Sequence, residues 1–225
     1  MKLVSLSFKA DRRPLKFKLC MVLTAALLGF VGDSAWADII IPAFRISAYD
    51  AYTSGGSLTR GIVFNVTSPV NVVGLSFYDE DADGLTESHP VGLWDSSGTL
   101  LASLSIDSGT TDPLDSGQFR YKLLNQVLNL PTGIGYRVGS LYLSTDQDKY
   151  GANVLNIVSE PGINYVSTAY AVGDSLAFPL FDASNNGFFG GSFVLQGADV
   201  PEPETLTLIA IGGLAWFSTR RRQTR

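Results

Sequence analysis

Between residues 38 and 200 no stretch repeats its apolar residues at helical spacing, whereas apolar and polar residues alternate in short runs closed by turn residues. Successive side chains of a strand point to opposite faces, so each such run makes a half-buried strand. Ile62, Phe64 and Val66 fall on one face of the run 62–66, and residues 70–78 repeat that pattern. Runs at 91–94 and 99–106 flank Asp95-Ser-Ser-Gly98, a hairpin signal. Further runs occupy 119–130 (stopped by Pro131-Thr-Gly133), 136–143, 163–169, 175–181 and 190–196. About nine strands at this spacing predict an all-β protein, an antiparallel β-sandwich of jelly-roll type. About 160 residues suffice to bury a single core, so 38–199 is expected to be one domain.

The two ends differ from this middle. A basic stretch containing Lys9, Arg12, Arg13, Lys16 and Lys18 precedes an uncharged apolar run of thirteen residues, 19–31. The small residues Ala35 and Ala37 follow, and together these parts predict a signal-peptide helix over 1–37, cut after Ala37 by signal peptidase. The run is shorter than the roughly 20 residues of a membrane span. The only cysteine, Cys20, leaves with it, which suits an oxidising exterior. At the other end Pro201-Glu202-Pro203 is followed by the apolar run 205–217 and by Arg220, Arg221 and Arg222. A rigid acidic element, a short transmembrane helix and a cytoplasmic basic stop define 200–225 as a third segment.

Residues 200–222 resemble the PEP-CTERM sorting signal of Gram-negative bacteria, with its three parts in order. The resemblance implies recognition by an exosortase-type membrane protease-transpeptidase that cuts near Pro201–Glu204. It further implies an exported protein, held first as an inner-membrane precursor and then placed at the cell surface or in an exopolysaccharide or biofilm matrix. A second resemblance lies in the middle. Gly74-Leu-Ser-Phe-Tyr78, the stretch His89–Ser103, and Gln118-Phe-Arg-Tyr121 are similar to an uncharacterised β-sandwich domain of bacterial exported proteins. That domain brings no catalytic residues to carry over.

Charge and chemistry narrow the function further. Residues 38–200 hold six Lys or Arg against seventeen Asp or Glu, a net charge of −11, which repels phosphate backbones and argues against a nucleic-acid partner. One cysteine and one histidine, His89, exclude a His/Cys zinc cage. The densest acidic cluster places Asp79, Asp81 and Asp83 at alternate positions before Gly84, the spacing of the first half of a calcium loop. Pro90 stands where the closing Glu of that loop belongs, so Glu87 or a backbone carbonyl has to complete the shell. Calcium is thus the one candidate ion, with Asp79, Asp81, Asp83 and Glu87 as ligands; the alternative is a solvated loop. His89 has no nucleophile motif beside it and is expected to order the exit of that loop. Tyr49, Tyr52, Trp94, Phe188 and Phe189 are the candidates for stacking on sugar rings, with Trp94 expected in the core. The expectation is a non-enzymatic binding or adhesion module of the matrix, with exopolysaccharide as a candidate partner. An enzyme acting on extracellular polysaccharide and a purely structural matrix protein are the alternatives.

Overall fold

The computed structural model describes residues 40–47, 49–115, 118–183 and 186–197. Both expected end helices, with Ala35, Ala37, Pro201, Glu202, Pro203 and Arg220 to Arg222, lie outside the described residues. Among those described there is no helix, hence none long and apolar enough to cross a membrane. Fourteen strands follow in chain order: β1 Ile40–Pro42, β2 Phe44–Ser47, β3 Asp50–Thr53, β4 Leu58–Val66, β5 Val70–Tyr78, β6 His89–Trp94 and β7 Leu100–Ile106. The second half contributes β8 Phe119–Leu130, β9 Gly133–Tyr142, β10 Lys149–Ala152, β11 Asn156–Ser159, β12 Ile163–Val172, β13 Phe181–Ala183 and β14 Gly191–Gln196.

Every pairing is antiparallel. One sheet runs β1-β14-β5-β8 and the other β13-β12-β4-β9-β6-β7, with the pairs β3-β10 and β2-β11 beside them. Removing β12 and β13 leaves two four-stranded sheets, β1-β14-β5-β8 and β4-β9-β6-β7, which is the strand order of a jelly roll. The chain is therefore an antiparallel jelly-roll sandwich with two strands added beside β4. The alternation along β4 explains why the sheets must meet. Ile62, Phe64 and Val66 share one face, and Phe64 packs on Phe193 of β14 at 5.0 Å and on Phe44 of β2 at 6.0 Å. Leu75 and Phe77 of β5 in the facing sheet, and Val91, Leu93 and Val138 of β6 and β9 in the same sheet, are fully buried in this core. Each such side chain contributes roughly 1.5–3 kcal/mol on burial.

The β6–β7 hairpin forms where the sequence predicts it, and Asp95 shows why. Its Oδ1 accepts from the Ser97 and Thr99 amides and from the Ser97 hydroxyl, while Gly98 supplies the positive φ of 89°. The expected strand at 175–181 is not one. Residues 173–180 instead cross the outer face of the six-stranded sheet, and β13 begins only at Phe181. Pro179 has no amide donor for a ladder, and its ring rests over Gly61. Ala177 donates to Thr59 Oγ1 at 3.0 Å, and Arg137 donates to the Pro179 carbonyl while its guanidinium lies 4.9 Å over Phe178. Trp94 is buried, as expected, but on this outer face against Phe178 at 6.3 Å and not between the sheets.

Candidate functional site

The acidic loop joins β5 to β6, and its carboxylates play separate parts. Asp79 is buried; its Oδ2 accepts from Arg120 Nε at 2.6 Å and from the Gly84 amide at 3.1 Å. The remaining Arg120 nitrogens donate to the carbonyls of Asp112 and Ala82 at 3.0 and 3.2 Å, so the loop is wound round one guanidinium. Asp81 and Asp83 are exposed, and Glu80 pairs with Lys149. A cavity of about 190 Å³ is lined by Glu80, Asp81, Asp83, Thr86, Gln147 and Asp148, among others. Asp79 also lines this cavity, but its Oδ2 is already committed to Arg120 and to the Gly84 amide.

His89 lies at the loop's exit and is almost wholly buried, stacked on Phe77 with ring centroids 3.8 Å apart. Its Nε2 meets Asp148 Oδ2 at 2.8 Å and its Nδ1 meets the Leu141 carbonyl at 3.2 Å. Asp148, just ahead of β10, also accepts from the amides of Thr86 and Glu87 at 2.9–3.0 Å. Burial opposes its charge, but hydrogen bonds from His89 and from those two amides prevail and hold its carboxyl below the usual range. Glu87 is pushed up by burial and by Asp148, against a hydrogen bond from the Gln147 amide. Glu87, His89 and Asp148 bring ligand atoms within 4.8 Å of one another, a possible metal trio by geometry. Two of the three already bond to each other, and Asp148 to two amides as well. Their evident work is to clamp the loop to the chain between β9 and β10.

The other feature is aromatic and sits where β4 begins. By alternation Arg60 shares the inward face of Ile62 and Phe64, and it is 6% exposed. Its guanidinium lies 4.1 Å from the Tyr150 ring centroid, 4.9 Å from Phe188 and 5.9 Å from Tyr142. Nη2 donates to Ser54 Oγ at 3.0 Å, and Nε has no acceptor among the described residues. Burial lowers the pKa of this group, against the attraction of Tyr150 and Tyr142. Rings continue outward from it. Tyr52, Tyr150, Phe188, Tyr170 and Phe181 follow one another with centroid spacings of 6.4, 5.8, 6.0 and 5.6 Å. The two ends of this row are open to solvent, Tyr52 at 48% and Phe181 at 53%.

Phe188 reaches the row with φ at 72°, a conformation that strains a bulky residue. Gly151 and Phe189 exchange two backbone hydrogen bonds at 3.0 Å, which fix that segment. At the far end of β4 lies a larger opening of about 680 Å³, lined by polar groups such as Asn71, Asn129, Glu160 and Gln196 and by no aromatic ring.

Of the residues singled out in the sequence, Tyr52 and Phe188 belong to the row. Tyr49 instead packs edge-on against Tyr78 at 5.7 Å, and Phe189 is buried on Tyr165. Arg60, Tyr150, Tyr170 and Phe181 carry no local sequence signal, because four separate strands supply them. A family model described as a domain of unknown function (DUF4082) matches residues 47–180. A second, described as the PEP-CTERM protein-sorting motif, matches residues 199–222. Among curated proteins none matches.

Proposed function

The chain belongs to the DUF4082 family through residues 47–180, and from that premise we propose that it is a non-enzymatic glycan-binding module of the extracellular matrix. Its PEP-CTERM motif marks it as an exported protein processed by a membrane exosortase. The observation that carries the binding reading is the row of rings from Tyr52 to Phe181. Aromatic faces match the apolar faces of sugar rings, and five of them in sequence follow an extended chain better than they would enclose a small molecule. Matrix exopolysaccharide is the partner this reading names.

Glycan-array binding of the purified protein, with product analysis of each glycan bound, tests the proposal. Saturable binding without turnover is expected, and Tyr52→Ala with Phe181→Ala is expected to weaken it while leaving the melting temperature unchanged. Turnover of a bound glycan would mean an enzyme, and no binding at all a purely structural protein. Calcium enters the same proposal as an ion that orders the loop of Asp81, Asp83 and Glu87. A melting temperature indifferent to EDTA and millimolar Ca²⁺ removes it.

A further inference from the structure

Six Lys or Arg side chains lie among the described residues, and five of them pair with a carboxylate. Arg45 pairs with Glu160, Arg120 with Asp79, Lys122 with Asp107, Arg137 with Asp182 and Lys149 with Glu80. Arg60 has no carboxylate partner among the described residues, although it is the most deeply buried of the cations apart from Arg120. Seventeen acids surround six cations between residues 38 and 200, so the lone exception is not explained by a shortage of anions. A buried charge left without a counter-ion destabilises a fold, and such a group persists where function uses it.

We propose that the glycan bound at the aromatic row is acidic, and that Arg60 receives the carboxylate of a uronic acid residue stacked on the neighbouring rings. This rests on the glycan-binding reading and gives the ligand its class. The geometry constrains the approach. Tyr150 and Phe188 lie over the guanidinium, so an anion must reach its N–H edge. Along that edge Nη2 is held by Ser54, whose hydroxyl in turn donates to the Gly56 carbonyl, and Nε has no acceptor among the described residues. A carboxylate matches two neighbouring guanidinium donors, and rings that exclude water strengthen the pair. The strained backbone of Phe188 fits the same purpose, since it holds one ring over the cation. The acidic surface repels a polyanion at long range, but salt screens that repulsion beyond about 8 Å at physiological ionic strength. The enclosed contact is screened much less.

The experiment is calorimetric titration of the full chain with oligomers of galacturonate and of glucuronate, each beside its carboxyl-reduced, neutral counterpart. Binding of an acidic form at least about tenfold tighter than its neutral form is expected, a difference of about 1.4 kcal/mol. Arg60→Met is expected to abolish that preference, leave residual binding of the neutral oligomers, and match or raise the melting temperature of the free protein. Equal affinities for acidic and neutral forms overturn the acidic assignment and leave glycan binding standing. A preference that survives Arg60→Met overturns the role of Arg60. Binding of neither form overturns both this inference and the glycan reading. The comparison of acidic with reduced oligomers needs no variant, so it decides the ligand class even where Arg60→Met fails to fold.

Discussion

Burial raises the pKa of two carboxyl groups in this protein, yet only one of them ends above the usual range, because hydrogen bonds outweigh burial at the other. Asp115 is buried, with one oxygen accepting from the Phe119 amide at 3.0 Å and the other without a partner among the described residues. Burial pushes its pKa up to about 6, against the Phe119 amide, the charge of Arg45 and the Gln118 amide. Its folded pKa therefore lies above its unfolded one, and the folded state binds the extra proton. Stability from this group is full below about pH 4 and falls as pH rises through 6. Asp148 has the reverse sign. Its folded pKa is about 2, so its contribution is present above about pH 4 and lost as pH falls through 2. Asp115→Asn, which cannot ionise, is expected to gain about 3 kcal/mol at pH 7 and less than about 1 kcal/mol at pH 4, read from urea midpoints at the two pH values. Asp79→Ala strands the Arg120 guanidinium in the core and should lose about 3–5 kcal/mol in the same assay.

At the scale of elements, what the sequence reveals is what is encoded locally. The β6–β7 hairpin is legible because Asp95 and Gly98 make its turn with bonds inside five residues. The core faces of β4 and β5 are legible because alternation puts Ile62, Phe64 and Val66, and likewise Leu75 and Phe77, on one side, although both strands are buried on their other face too and not half-buried as the pattern predicts. The segment 173–180 misleads because Leu176, Phe178 and Leu180 alternate as a strand would, yet the positions of Ala177, Phe178 and Pro179 are set by Thr59, Trp94 and Arg137 on other strands. Strands β2, β3, β10 and β11 have four residues each, too few to show a period. The strap that residues 173–180 lay across the sheet offers a clear test. A Cβ on Gly61 would lie 2.6 Å from the Val138 carbonyl oxygen and 3.0 Å from the Pro179 ring. The carbonyl is backbone in a central strand and cannot step aside, so Gly61→Ala should destabilise by about 1–3 kcal/mol. Trp94 fluorescence should report it, because lifting the strap moves Phe178 away from the indole. An unchanged melting temperature and emission would mean that the strap does not press on the sheet.

Across the whole molecule, legibility follows whether a feature is linear or assembled. The sorting tail is read in order along the chain, so Pro201, Glu202 and Pro203, the apolar run and Arg220 to Arg222 identify it without any fold. The aromatic row is assembled from β3, β10, β12, β13 and the chain before β14, and Arg60 stands out only once every other cation among the described residues has been seen to have its acid. These two parts have to be separable if the reading is right, since the tail governs where the domain goes and the row what it holds. Changing Pro201-Glu202-Pro203 to three alanines should therefore leave an uncut precursor in the membrane fraction, with glycan binding intact. The physical reason is that proline fixes its own φ and restricts the residue before it, whereas alanine has the highest helix propensity, so the substitution changes the backbone preference at the site where the enzyme is expected to read the chain. Fractionation of the native host and mass spectrometry of the mature C-terminus measure this. A wild-type surface protein that still carries residues 205–225 would make the tail a plain anchor, and one released equally well with the alanines would place recognition in the helix and arginines alone.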